Sequence, residues 1–398
     1  MAIDRVSPEG VEVYFQDNDS ALLSRVTTDA SGVAAGPMTA GGFVTVIDPF
    51  GHDEATGAQL HTYLDVQPGD AFVLRPPPPA RVTTPDRTTT ITFPAAADPL
   101  VTQYQVFAAG CSIGNYPDTV TEGFVTKRLD LQECEATVDL LVVAFHDAGD
   151  LIKVQWGFAA DLVIAPMLDL AGLTWSPYTR QTLRFDNLPP SYNRPIAYST
   201  IATKRGLLSG ASVAPDGTTQ SVQLPLVPGG TNQIELIMDS ATGTMWSFVV
   251  DVGGFVPAYE LDVGARLAAP VTSCPVYLRE TRALTWTEMG GGAGLDFVVA
   301  SIDVAPREGA PWRWRVLAPA SGDGLVLPAF PDELAAFQIE GLDFYAVQDV
   351  LRGTAAGGYP ALVASGIWPT RDDGDYFLQQ LAPLGSFMLA QSEGCRPL

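Results

Sequence analysis

Glycine and proline interrupt this sequence so often that long helices are excluded. Of its 398 residues, 38 are glycine and 32 are proline, or about one residue in six. Short strands joined by turns tolerate this punctuation, whereas long amphipathic helices do not. Hydrophobic residues make up 46% of the chain, and its length suggests about two to four domains. The sequence therefore predicts an all-β protein made of tandem β-sandwich modules.

The strand pattern is clearest in residues 11–74, around which the remaining chain is organised. Residues 11–16 alternate between core-type and polar side chains, as a half-buried strand does. The next residues, Asp17, Asn18 and Asp19, predict a turn because such side chains bond their own backbone. The same three side chains also offer oxygen ligands to calcium, but they lack the spaced acidic ladder of an EF-hand loop.

A second alternating run, residues 23–27, ends at a turn between Asp29 and Gly32. The Asp29 carboxylate can close this turn and Gly32 can adopt positive φ, which predicts a hairpin with the next strand at residues 43–47.

The Thr-Thr-Asp-x-x-Gly sequence of this turn is followed by Ala40-Gly-Gly-x-Val-Thr-Val. Together they resemble the transthyretin-like, or carboxypeptidase-regulatory-like, module. In that family the pattern is a decorated hairpin in a seven-stranded sandwich that carries no catalytic residues. The resemblance covers roughly the first fifth of the chain and implies a transthyretin-like sandwich at residues 1–80.

Four consecutive prolines, Pro76 to Pro79, form a stiff spacer and lead into a threonine-rich run that ends at Thr90. Proline cannot donate a hydrogen bond to a sheet, so this segment predicts a domain boundary. The spacing of strands and turns beyond it predicts an Ig-like module, a further sandwich and a C-terminal module. The four predicted modules are residues 1–80, 81–168, 169–260 and 261–398.

The second module contains an almost wholly apolar run, residues 139–145. Such a run predicts a central strand that is covered on both faces. The polar residues that follow, His146, Asp147 and Asp150, read as a hairpin turn. They can also be drawn as a metal site, but the turn explains them more simply.

The last module carries Leu-Thr-Trp286, then an alternating strand, then Trp312-x-Trp314-x-Val. This order resembles a fibronectin type III domain over about a quarter of the chain. In that family a tryptophan on an early strand packs between the sheets, which implies that Trp286 lies in the core. The module departs from the family at Asp332, which predicts the N-terminus of one short helix near the C-terminus.

The chain has four cysteines, Cys111, Cys134, Cys274 and Cys395. Pairing Cys111 with Cys134 and Cys274 with Cys395 would close two modules, each pair adding about 3–5 kcal/mol in the chain-entropy model. Four free buried thiols are the alternative. Disulfides imply an oxidising compartment, so we expect an extracytoplasmic protein, in the periplasm or at the cell surface. The cysteines lack C-x-x-C spacing, so neither a metal nor a cofactor is predicted.

The charge of the chain restricts its partners. With 45 acidic and 22 basic residues the net charge is −23, which repels the phosphates of a nucleic acid. No stretch of about 18 apolar residues is present, so no membrane span is predicted. The first residues lack the apolar segment of a signal peptide, and we expect the secretion signal to be absent from this chain.

No sequence motif of a catalytic nucleophile or of a phosphate-binding loop is present. We therefore expect a protein that is not an enzyme. Two catalytic alternatives stay open: a Ser–His–Asp triad assembled from distant residues, and paired acids among Asp372, Asp373 and Asp375 beside Trp368. Either would make the protein a hydrolase with a cleft between modules.

Three tryptophans form a candidate ligand platform, Trp312, Trp314 and Trp368. The first two share a strand face and lie about 7 Å apart. If exposed, they would stack on a sugar or on a partner chain. Arg313 and Arg315 occupy the opposite face, which favours a core position for the tryptophans.

The predicted function is that of a non-catalytic exported protein acting in binding, adhesion or extracellular assembly. Its partner would be a protein or a polysaccharide at the cell surface, or a second copy of the chain. A carbohydrate-binding accessory protein is an alternative. Through its two module resemblances the chain is similar to modular bacterial surface proteins.

Overall fold

A computed structural model describes residues 9–53, 57–70, 86–109, 111–132, 134–146, 152–188, 192–240, 245–266, 273, 275–287, 294–320, 322, 324–339, 343–355, 357–365 and 386–393. These residues form 26 strands in five sheets, two short α-helices and one 3₁₀ helix. The prediction of an all-β fold of several sandwich-like modules is confirmed.

The first thirteen strands are β1 (Glu12–Gln16), β2 (Leu22–Thr27), β3 (Gly42–Asp53), β4 (Gly57–Val66), β5 (Arg87–Pro94), β6 (Val101–Ala108), β7 (Ser112–Thr121), β8 (Phe124–Gln132), β9 (Thr137–His146), β10 (Ile152–Val163), β11 (Met167–Asp169), β12 (Ser176–Pro177) and β13 (Thr179–Asp186). The other thirteen are β14 (Tyr192–Thr203), β15 (Gly206–Val213), β16 (Gln220–Leu224), β17 (Thr231–Ser240), β18 (Met245–Gly253), β19 (Ala258–Asp262), β20 (Val276–Leu278), β21 (Ala283–Thr285), β22 (Phe297–Ala305), β23 (Trp312–Pro319), β24 (Gly324–Val326), β25 (Phe344–Ala355) and β26 (Ser386–Glu393). The helices are α1 (Val263–Arg266), the 3₁₀ helix (Asp332–Phe337) and α2 (Gly358–Ser365).

One twelve-stranded sheet runs through the molecule in the order β15-β14-β17-β18-β26-β25-β22-β23-β4-β3-β1-β2. Two four-stranded sheets have the orders β12-β10-β9-β6 and β11-β5-β8-β7. Two three-stranded sheets, β16-β13-β19 and β20-β21-β24, complete the set.

The two four-stranded sheets pack face to face as a β-sandwich. Ile91, Phe93 and Leu129 of the outer sheet, β11-β5-β8-β7, meet Val106 and Leu140 of the inner sheet, β12-β10-β9-β6. Strands β5 and β8 of the outer sheet alternate between inward, mostly apolar residues and outward polar residues, which is the pattern that closes such a core.

Strand β9 is covered on both of its faces, as the sequence predicts. Leu140 and Val142 belong to the sandwich core. Their neighbours Leu141, Val143 and Phe145 point the other way, into a second core formed with β13, β14 and β17. Successive side chains of a strand alternate faces, so a strand between two cores needs an uninterrupted apolar run.

The predicted first and last modules share one sheet. Residues 58–63 of β4 pair in parallel with residues 312–317 of β23. Their side chains share two cores, one on each face of the sheet, with Tyr63 beside Leu317 on one face and Leu60 beside Trp314 on the other. The structure thus differs here from a string of separate modules, because each segment supplies part of the other's core. The spacer at Pro76 to Pro79 lies outside the described residues.

The two predicted N-terminal turns form, but one strand pairing was wrong. Asp17 Oδ1 accepts the N–H groups of Asp19 and Ala21 at 3.0 and 2.8 Å, so a turn accounts for these side chains. Asp29 Oδ1 accepts the N–H groups of Ser31 and Val33, and Gly32 has φ 78°. However, β2 and β3 do not pair with each other, since both flank β1. The hairpin is instead β1–β2.

Two features of the C-terminal segment match the prediction. The short helix begins at Asp332, although it is a 3₁₀ helix, and Trp286 is buried in the core as expected. The prediction of a single helix missed α1 and α2. Helix α2 contributes Leu362 and Val363 to the core on one face of the large sheet.

Among the described residues, no helix is both long and apolar enough to cross a membrane.

A buried histidine lies next to the join between β4 and β23. His61 pairs in register with Arg315, and its Nε2 lies 3.0 Å from Asp48 Oδ2. Burial lowers the pKa of His61, and the nearby Arg315 lowers it further, while Asp48 raises it. Because burial is the largest of these effects, the neutral imidazole is favoured in the folded chain.

Replacing Trp314 with alanine is expected to destabilise the fold by about 3–5 kcal/mol. Its indole is 1% exposed and donates a hydrogen bond from Nε1 to Thr62 Oγ1 at 2.9 Å, so truncation leaves a cavity and removes one of the two hydrogen bonds of this buried hydroxyl, which keeps its bond to Thr45. Urea unfolding of the full chain measures the effect. The control Val326→Ala alters a side chain that is 66% exposed and should change stability by less than about 0.5 kcal/mol. Equal losses in the two variants would contradict the core assignment.

The buried His61 predicts that stability falls on mild acidification. Its folded pKa lies below the unfolded value near 6.5, so below about pH 6.5 the unfolded chain binds more protons and unfolding is favoured by about 1.4 kcal/mol per pH unit. The loss continues until the folded pKa is reached. Unfolding measured from pH 8 to 5 should show this slope, and His61→Gln should flatten it. His146→Gln serves as the control, because it leaves His61 intact and should keep the slope. A slope that is the same in His61→Gln and wild type would contradict the assignment.

Candidate functional site

One predicted cysteine pair is present. Cys111 precedes β7 and Cys134 follows β8, and the two form a disulfide with Cα atoms 4.6 Å apart. Strands β7 and β8 are antiparallel neighbours, so the bond closes the open end of their hairpin. Cys274 and Cys395 lie outside the described residues.

The tryptophan platform is not formed by Trp312 and Trp314. Their side chains are 3% and 1% exposed and pack against Phe330 in the core beneath the three-stranded sheet β20-β21-β24. The alternation of the strand was predicted correctly, but the tryptophan side of β23 is its covered side. Trp368 lies outside the described residues, as do Asp372, Asp373 and Asp375.

The candidate metal ligand His146 has a protein partner. Its Nε2 lies 3.0 Å from Asp98 Oδ2, and Asp147 and Asp150 lie outside the described residues. The Asp98 carboxylate also accepts the N–H of Leu100, and these two bonds lower its pKa. In the part of the chain that the structure describes, no group of three or more histidine, cysteine or acidic side chains is arranged to hold a metal ion.

A charged cluster joins the sandwich to the large sheet. Buried Asp139 on β9 accepts hydrogen bonds from Thr203 Oγ1 at 2.7 Å and from the N–H of Asp161 at 2.8 Å. Arg205 contacts Asp161 and Glu135 at 2.5 and 3.3 Å. The bond to Arg205 is the main reason that the pKa of Asp161 is lowered. These side chains contact one another between the sandwich and the large sheet. The cluster therefore has a structural role, which is to hold the two together.

The outer sheet of the sandwich presents a polar surface that was not predicted from the sequence. Every second residue of β5 and β8 points outward, opposite to the buried core positions. We call this surface the threonine face, and it consists of Thr88, Thr90, Thr92, Tyr116, Thr119, Phe124, Thr126, Arg128 and Asp130.

The threonines stand in register across the outer sheet. Thr92 of β5 pairs with Thr126 of β8, which in turn pairs with Thr119 of β7. Thr90 lies opposite Arg128, and the outward residues of β5 and β8 follow at every second position. The alternation Thr88-Thr-Thr-Ile-Thr-Phe93 was the signal for a strand, but its first half was predicted to be part of a linker.

Four side chains at one end of the threonine face hold one another in place. Asp130 accepts hydrogen bonds from Tyr116 Oη at 2.5 Å and from Thr88 Oγ1 at 2.8 Å. The guanidinium carbon of Arg128 lies 4.7 Å from the centre of the Tyr116 ring. The hydrogen bond from Tyr116 lowers the pKa of Asp130 and raises that of Tyr116. The phenol and the carboxylate are therefore held as donor and acceptor.

The backbone beneath Tyr116 is fixed from inside the sandwich. The pairing of β7 with β8 is irregular between Asn115 and Asp118. At this bulge the Asn115 side chain bonds both the N–H and the C=O of Val106 on the inner sheet, at 2.8 and 3.0 Å. Buried Lys127 donates to the carbonyl of Tyr116 and to Asp118. Bulges of this kind re-aim a side chain, and here the bulge directs the Tyr116 ring onto the outer face.

Comparison with known proteins adds no family. No protein-family model and no curated protein matches the chain. Among solved structures, the crystal structure of a Salmonella alpha-2-macroglobulin mutant shares 10% identity, with a TM-score of 0.10. The match covers 86% of this chain and 27% of that chain. A likeness at this TM-score carries no information on fold or function.

Proposed function

We propose that this protein is a non-catalytic, extracytoplasmic protein that acts in binding, adhesion or extracellular assembly. The observation that carries the proposal is the disulfide between Cys111 and Cys134. Structural disulfides persist in oxidising compartments and are rare in the cytosol. The periplasm and the cell surface are such compartments, and the partner there is a protein, a polysaccharide or a second copy of the chain.

The arrangement of the charged groups supports a binding role over a catalytic one. His61 and Asp48 form a His–Asp pair of the kind that a Ser–His–Asp triad contains. However, His61 is only 3% exposed, inside the large sheet. A catalytic base has to come within hydrogen-bond reach of a substrate, which burial of this kind opposes. The outer sheet of the sandwich, by contrast, carries exposed polar side chains on its outward face.

Protein isolated from its native cells should contain the Cys111–Cys134 bond. Alkylation under non-reducing conditions, followed by digestion and mass spectrometry, should yield one linked peptide pair. In parallel, protease added to intact cells, or to cells with a permeabilised outer layer, should digest the protein while a cytosolic marker survives. Alkylated Cys111 and Cys134 together with full protection from protease would contradict the proposal.

The disulfide is also expected to stabilise the sandwich. It spans a sequence separation of 23 residues, for which chain entropy gives about 3 kcal/mol. The double variant Cys111→Ser/Cys134→Ser should lose that amount in urea unfolding under oxidising conditions. Wild type measured with a reducing agent is the matched control and should unfold at nearly the same urea concentration as the variant. If the reducing agent leaves the urea midpoint of the wild-type protein unchanged, a structural role for the bond is contradicted.

A further inference from the structure

The threonine face differs in charge from the rest of the molecule. The chain as a whole has a net charge of −23. On the threonine face the two formal charges are those of Arg128 and Asp130, which lie 3.8 Å apart and cancel. Two acidic side chains lie at its margins: Asp169 on the short edge strand β11, which pairs with Thr92, and Glu122 in the turn between β7 and β8. An uncharged ligand therefore meets no net repulsion here, whereas a polyanion would be repelled by the surrounding surface.

The chemistry of the threonine face is hydroxyl-rich and ordered. Neighbouring strands lie about 4.8 Å apart, and successive outward residues of one strand are about 6.6 Å apart. The row of Thr92, Thr126 and Thr119 thus presents three hydroxyls and three methyl groups at regular intervals across the sheet. A hydroxyl both donates and accepts a hydrogen bond, which suits a ligand whose own polar groups are hydroxyls.

Two aromatic rings stand on the threonine face. Tyr116 is 40% exposed and Phe124 is 43% exposed. Arg128 packs over the Tyr116 ring, and Phe124 lies four residues before Arg128 on β8. The rings of Tyr116 and Phe124 therefore lie roughly 13 Å apart along this strand. Thr126 and Thr119 lie between them. Exposed aromatic rings pack against the C–H faces of sugars while polar groups beside them fix the orientation.

Pre-organisation distinguishes this surface from an ordinary solvated sheet face. Tyr116 is held by its hydrogen bond to Asp130, by Arg128 over its ring and by the bulge that Asn115 and Lys127 anchor from within. A ring that is fixed before binding loses little conformational entropy when a ligand packs on it. Protein interfaces concentrate apolar side chains at their centre, whereas the centre of this face is threonine hydroxyls. These features favour a carbohydrate over a protein.

We propose that the threonine face binds a neutral polysaccharide chain that runs along β7 and β8 between Tyr116 and Phe124. The inference deepens the proposed function, on which it rests, by naming the partner class and the surface. Tyr116 and Phe124 support sugar rings, and Thr126 and Thr119 bond the hydroxyls between them. Arg128 keeps Tyr116 in place while its remaining N–H groups face the ligand as donors.

The test is binding of the purified full-length chain to neutral polysaccharides. Cellulose, chitin and insoluble xylan are used in sedimentation assays, and soluble β-1,3-glucan is used in isothermal titration calorimetry. Wild type should bind at least one of these. Tyr116→Ala should weaken that binding about tenfold or more, since a central aromatic contact is removed. Thr126→Val keeps the shape of the strand but removes one hydroxyl, and should weaken binding by about threefold to tenfold.

Phe344→Ala is the matched control, because Phe344 is an aromatic residue on β25 that is 82% exposed and lies away from the sandwich. It should bind as wild type does. Thermal unfolding of each variant verifies the fold, and Thr126→Val provides a second readout if Tyr116→Ala is unstable. Wild-type protein that binds none of the four polysaccharides overturns the inference, as does binding that neither face variant weakens.

The same variants separate this inference from the function on which it rests. Suppose that the wild-type protein binds none of the polysaccharides but can be cross-linked to a cell-surface protein, and that Tyr116→Ala abolishes this cross-linking. The polysaccharide assignment is then overturned, and the extracytoplasmic binding role stands. Reduced Cys111 and Cys134 in a cytosolic protein overturn the proposed function itself, whatever the binding assay gives.

Discussion

The parallel pairing of β4 with β23 is the interaction on which the large sheet depends. It joins residues 58–63 to residues 312–317, about 250 positions further along the chain. Without it the first four strands would expose two apolar faces, because Tyr63 packs on one side and Leu60 on the other. Parallel neighbours need a long connection, and here the sandwich and the β13 to β19 region are part of that connection. The chain therefore folds as an interleaved structure in which two segments distant in sequence complete a core on each face of the large sheet.

Local signals in the sequence predicted local structure well. The Asx turns at Asp17 and Asp29 depend on atoms within four residues, and both are present. The doubly covered strand β9 was predictable for a similar reason, since an unbroken apolar run is compatible with few environments. These features required no knowledge of any distant partner.

Pairing between distant segments could not be predicted in the same way. The alternation of β23 shows that Trp314 and Arg315 face opposite sides, but it does not show which side is covered. The cover is β20-β21-β24 and the 3₁₀ helix. The same limit applies to β3, whose pairing with β1 rather than β2 depends on the path of a long connection. The threonines of β5 were misassigned because polar side chains at alternate positions suit both a linker and the outer side of a sandwich.

The position of the candidate site follows from the covering of β9. Because the inner sheet of the sandwich packs on two cores, neither of its faces is available to a ligand. The outer sheet packs on one core only, so the sandwich presents its second face to solvent. Its polar residues are not spread at random: the bulge at Asn115, the buried Lys127 beneath it, the Arg128 guanidinium over the ring and the Asp130 carboxylate all constrain one exposed ring, Tyr116. Solubility alone would not require four separate contacts to fix the orientation of a single surface tyrosine, whereas recognition of a ligand would.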